Sequence, residues 1–111
     1  MRRCAIVLSL LLACGGASLS SAKSDFAKGR YPQARDELAL LEEPSKAWEP
    51  KKRIEYALYR GLVHLALGDR AAAEPWIAQA IELDRANPGA LSEDDRTRLG
   101  LAKESVSAAA P

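Results

Sequence analysis

Small residues recur in this chain at a fixed interval: Ala22, Gly61 and Gly100 stand 39 positions apart, and Gly29 and Gly68 repeat the spacing. Around the second pair the likeness extends further. Lys28-Gly29-Arg30-Tyr31-Pro32-Gln33-Ala34 and Leu67-Gly68-Asp69-Arg70-Ala71-Ala72-Ala73 each pass from a helix end through a glycine to an alanine five residues on. A period of this length belongs to architectures in which one supersecondary unit cannot bury its apolar face alone and must stack on the next.

Apolar spacing makes the units helical. No stretch alternates apolar and polar residues long enough to form a strand, so the fold class expected is all-α. Leu19, Ala22 and Phe26 share one helix face, and Gly29 lets the chain turn back. A second helix carries Pro32 in its first turn, where a missing N–H costs nothing, and buries Ala34, Leu38 and Leu41. The segment Glu43–Pro50, with two prolines, reads as a loop with Trp48 folded back onto the helices. Lys51 to Leu67 is apolar around much of its circumference and is therefore central. Asp69 is placed to cap a fourth helix that carries Ala73, Trp76, Ile77, Ala80 and Ile81 on one face, and Pro75 should bend it or delay its start. Ser92 caps the fifth, whose first turn holds Glu93, Asp94 and Asp95, and which runs to about Val106.

The second unit resembles the tetratricopeptide repeat family. Gly61 stands where the first helix of that repeat carries a small residue for close packing, Gly68-Asp69 makes the interhelix turn, and Ala73 and Ala80 match the small residues of the second helix. Ile81-Glu82-Leu83-Asp84 matches the usual ending. Arg60 replaces the leucine expected before Gly61, and Arg85 the proline after Asp84. The first unit matches in Ala22, Gly29, Tyr31 and Ala34, the third only in Leu99-Gly100. The resemblance implies antiparallel helix pairs, about two and a half repeats in five helices across 19–106, with 107–111 a disordered tail. Its period of about 34 is shorter than the one here, and HEAT-type repeats of about 40 or more are the rival; a plain helical bundle would explain the stripes but not the recurring small residues.

Upstream of the repeats, Met1-Arg2-Arg3 precedes the apolar run Ala5–Leu12, a charge and length typical of a secretory leader and well short of the roughly 20 residues a membrane-spanning helix needs. Leu11-Leu12-Ala13-Cys14 resembles the lipobox of bacterial lipoproteins. That resemblance implies a signal peptide over 1–13, acylation of Cys14, a flexible linker over 14–18, and, from Gly15, passage to the periplasmic face of the outer membrane. An ordinary signal peptide cut after Ala17 or Ala22 is the other reading. Of the two cysteines Cys4 lies in the leader, so a chain starting at Cys14 has no disulfide to form.

Of the 16 basic residues Arg2 and Arg3 leave with the leader, so 14 face 15 acidic ones. That balance gives no reason to expect nucleic acid. His64 is the single histidine, the acids are scattered, and neither a phosphate loop nor metal-ligand spacing occurs, so neither enzyme, metal nor cofactor is expected. The family's members are generally binding modules whose first helices line a groove. By that resemblance Leu58, Tyr59, Leu62, Leu65 and Ala66 face a partner, an envelope protein or peptide, with Tyr59 and Leu62 as anchors. In so short an array the same side chains can instead be covered by Trp48 or by neighbouring helices. A second copy of the chain is another possible partner, and an obligate structural subunit of a larger envelope complex the alternative role. Lys51-Lys52-Arg53 is the one basic run, at a helix start where cations do not help the helix; it reads as a solvated helix end, with contact to anionic lipid headgroups or an acidic partner as the other reading.

Overall fold

The computed structural model describes residues 17–108. Those residues are all-α: α1 is Leu19–Ala27, α2 Tyr31–Leu40, α3 Glu42–Ser45, α4 Pro50–Ala66, α5 Arg70–Ala86 and α6 Glu93–Ala108. The leader, Cys14 and the last three residues lie outside this range.

Each boundary has a local cause. Ser18, in extended backbone, caps α1 by accepting from the Ser21 N–H at 3.0 Å. Gly29 and Gly68 take positive φ of 78° and 81°, which an L side chain rarely adopts, and let the chain reverse. The two reversals use the same bonds. Arg30 N donates to Asp25 O at 2.8 Å and Gly29 N to Phe26 O at 3.0 Å; 39 residues later Asp69 N donates to His64 O at 2.9 Å and Gly68 N to Leu65 O at 3.0 Å. This is the helix ending that satisfies the last carbonyls of a helix through a left-handed residue. Only the second hairpin adds a side-chain cap, Asp69 accepting from Ala72 N at 3.1 Å.

Three sequence expectations need correction. The loop expected over Glu43–Pro50 holds a sixth helix, the single turn α3. Pro44 fits it because the first turn of a helix has no intrahelical use for that N–H, and Ser45 Oγ closes it by donating to Glu42 O at 2.7 Å. Pro75 does not delay α5, which starts at Arg70 and runs through it. Ser107 and Ala108, expected in the tail, belong instead to α6, and the rest of the expected tail lies outside the described residues.

The helices form two rows. Lys23 meets Glu55 at 3.5 Å and the Phe26 ring meets Tyr59 at 5.6 Å, so α1 and α4 run parallel. Tyr59 of α4 donates to Asp95 of α6, and Arg96 of α6 faces Asp84 of α5, so α6 packs on both. The first row is therefore α1, α4 and α6; α2 and α5 fold back against it. As its apolar circumference implied, α4 is central, with Ile54, Ala57, Leu58 and Val63 essentially without solvent contact.

Small residues set the spacing between rows. Ala22, Ala34, Ala73 and Ala80 are buried, and a Cβ built on Gly61 would lie 2.2 Å from Ile77 Cδ1. Gly100 departs from this pattern. It is exposed, with nothing within 4 Å of its would-be Cβ, because no helix follows α6 to pack on it among the described residues. The described residues thus make two hairpins and a final helix packed on the second of them.

Candidate interaction surface

Of the five residues expected to face a partner, two belong to the core. Leu58 is 0% and Tyr59 5% exposed, while Leu62 and Leu65 are half-buried and Ala66 is exposed. The correction follows from the position of α4, which is flanked by α1 on one side and α6 on the other. Phe26 stands edge-on to Tyr59, Lys23 Nζ lies 5.3 Å from its ring centre, and its hydroxyl donates to Asp95 Oδ1 at 3.1 Å. Asp95, only 4% exposed, also accepts from Arg98 Nη1 at 3.0 Å. Burial first, and then the Asp95 carboxylate, pushes the Tyr59 phenol up to about 12. Tyr59 is a pin between three helices.

What the first row leaves open is narrower. In the repeat register Lys23, Leu62 and Leu101 are equivalent positions on α1, α4 and α6. Leu62 is half-buried and Leu101 is 61% exposed, with Ala66 one turn beyond Leu62. Leu101, an apolar position of the last helix in the sequence, was not among the residues expected to face a partner, although the same 39-residue interval that marks Gly100 marks it too. Large exposed apolar side chains are informative when they line up on one face, less so singly.

The opposite side of α4 is an aromatic stack. Tyr56 meets Trp48 and Trp76 edge-on at 5.7 and 5.8 Å, its hydroxyl donates to Leu38 O, and the Arg60 guanidinium lies 4.3 Å from the Trp76 ring centre. Arg60 also donates to Tyr56 Oη at 3.0 Å and to Glu42 at 3.3 Å. Arg60 therefore caps an aromatic cluster, a contact worth roughly 0.5–2 kcal/mol. His64 is half-buried; desolvation, with Arg60 nearby, lowers its pKa from the ordinary 6.5.

A groove of about 720 Å³ opens between the N-terminal ends of α1 and α4. Leu19, Ala47 and Trp48 line it together with Lys23, Lys51, Lys52, Glu49 and Glu55. Glu55 accepts from Lys23 and faces Lys51, both at 3.5 Å, while Lys52 lies over the Trp48 ring at 4.2 Å. Among the described residues no group of three or more His, Cys, Asp or Glu could hold a metal ion, and no helix is long and apolar enough to cross a membrane.

No family model matches the sequence, and no curated protein or solved structure matches it either.

Proposed function

We propose that this chain is a tetratricopeptide-type interaction module of a bacterial cell envelope, anchored through an acylated Cys14, which binds or helps assemble another envelope protein along the row α1, α4 and α6. What supports the reading is the repeated hairpin, whose turn bonds match residue for residue at 39-residue spacing, together with half-buried Leu62 and exposed Leu101 at equivalent positions of that spacing. In repeat proteins such a row is the surface used for recognition. The module acts by binding and position; it carries no chemistry of its own.

Cys14→Ser followed by membrane fractionation tests the anchor: the variant should leave the membrane fraction and lose its acyl mass. Photo-crosslinking from position 101 tests the face. One envelope protein should be captured reproducibly, and Ala66→Glu, at an exposed site on the same face, should abolish capture without loss of helicity. Capture that survives this substitution refutes the face.

Gly100 favours a second reading. It is a close-packing glycine by register yet has no neighbour, and fewer than three complete repeats are rarely self-sufficient. In this alternative the chain is an obligate subunit of a larger envelope complex, whose partner supplies a helix against α6.

A further inference from the structure

The two hairpins differ in one respect that bears on a ligand. Pro50, the first residue of α4, precedes Gly61 by 11 residues, whereas Leu19, the first of α1, precedes the equivalent Ala22 by three. Against the repeat, α1 therefore starts eight residues late, about two turns. Its start is fixed by the Ser18 cap. The groove of about 720 Å³ is the space beside the first turns of α4 that a full-length first helix would fill.

We propose that this groove seats the phosphate headgroup of an anionic phospholipid, so that the pole carrying Trp48, Lys51 and Lys52 lies against the membrane. The inference rests on the anchoring reading above: Ser18 follows Cys14 by four residues, a tether of only about 12 Å. Charge supports it. Three ammonium groups, Lys23, Lys51 and Lys52, face two carboxylates, Glu49 and Glu55. Glu55 is shared by Lys23 and Lys51, and Lys52 has no carboxylate partner within 4 Å among the described residues. Trp48 is half-buried with an amphipathic ring at the mouth, and indoles favour the headgroup level of a bilayer, where lysine stems lie along apolar surface with the ammonium in water. The basic run at the start of α4, unfavourable for the helix itself, then has a use.

The test uses the full chain with Trp76→Phe, which keeps an aromatic ring against Tyr56 and leaves Trp48 as the sole indole. The protein is purified from membranes in the form the cell makes and reconstituted into vesicles of brominated phosphatidylcholine with or without phosphatidylglycerol. Trp48 fluorescence should be quenched in the phosphatidylglycerol vesicles. Quenching should fall by at least about threefold at roughly 0.5 M salt, where exposed charges are screened beyond a few ångström. Lys51→Gln/Lys52→Gln should lower it similarly, with Lys103→Gln, in the later turns of α6, as an unaffected control. Circular dichroism confirms that each variant is folded. Absence of quenching, or equal quenching without phosphatidylglycerol, overturns the headgroup site. Intact mass reports the acylation of Cys14 separately, so an unmodified cysteine refutes the anchor while the quenching, read on the same protein mixed with the same vesicles, still decides the groove.

Discussion

Gly61→Ala and Gly100→Ala place the same methyl group at equivalent positions of α4 and α6, and the structure gives them opposite signs. Gly100 is exposed in mid-helix with open space around its Cβ, so alanine gains helix propensity of about 0.8–1 kcal/mol. At Gly61 the same gain is set against a collision. The new Cβ would lie 2.2 Å from Ile77 Cδ1 and 2.7 Å from Cγ1, far inside the roughly 3.5–4.0 Å of a good carbon contact. Ile77 is fully buried, so it can turn aside only within the packed core. Overpacking of this kind costs about 1–3 kcal/mol, and with contacts this short the upper half of that range applies. Net destabilisation is then about 1–2 kcal/mol.

Urea titrations followed by far-ultraviolet circular dichroism measure both variants, and thermal melts check them at about 4–8 °C per kcal/mol for a domain of this size. Ile77→Ala completes a cycle. It removes the two atoms that collide with the new methyl, Cδ1 and Cγ1, and the next nearest atom, the Ile77 backbone nitrogen, stands at an acceptable 3.4 Å, so Gly61→Ala should turn stabilising on that background. Sucrose in every sample keeps the cavity-bearing variant folded. Should Gly61→Ala raise the melting temperature as Gly100→Ala does, α4 and α5 are not in close approach, and the role given to small residues in this repeat is wrong.

Two further outcomes follow from buried groups. Tyr59 ionises near 12 in the folded chain against an ordinary 10.0, so the fold holds the protonated phenol, and stability present below pH 10 should decline as pH rises from 10 towards 12; Tyr59→Phe should remove the absorbance step at 295 nm near pH 12 and lessen that decline, while costing about 1.5–3 kcal/mol at neutral pH by leaving Asp95 without its phenol donor. His64 has the reverse sign, because its lowered pKa means the fold holds the neutral imidazole: stability present above pH 6.5 should fall as pH drops below it, and His64→Phe should flatten that fall in pH-dependent urea midpoints while its proton NMR signal in the parent titrates below 6.5.

The hairpins were legible because each boundary is written in local chemistry: a glycine that must take positive φ, a serine or aspartate that caps, a proline that fits a first turn. The aromatic stack was half legible. Trp48 had to fold back, but that Arg60 would lie on Trp76 depends on where α5 crosses α4, which no local signal encodes. Tyr59 and Leu58 were misplaced for a related reason. A side chain on the groove side of an isolated hairpin is open, and it closes only when α1 and α6 flank α4, a consequence of how the units stack. Leu101 was not expected on that face because α6 has a weak apolar stripe, and only the repeat interval relates it to Leu62.

The end of the array bears most directly on the choice between the two functional readings. A stacked repeat must finish with a helix whose outer face tolerates water. On α6 the exposed positions include Glu93, Asp94, Arg96, Thr97, Arg98, Lys103 and Glu104, and Leu101 is its one large exposed apolar side chain. That composition suits a cap, and a capped module needs no subunit to complete it. Gly100 is the feature that disagrees, since a glycine in an exposed helix interior weakens the helix without packing to offset it. Gly100→Leu separates the cases. If α6 is a cap, the branched side chain projects into solvent and the domain gains about 0.7 kcal/mol from propensity alone, with partner capture from position 101 unchanged. An obligate complex that seats a helix on this glycine would lose assembly through the same substitution, while the isolated chain still became more stable. Lost assembly with raised stability therefore selects the subunit, and retained capture with raised stability selects the module.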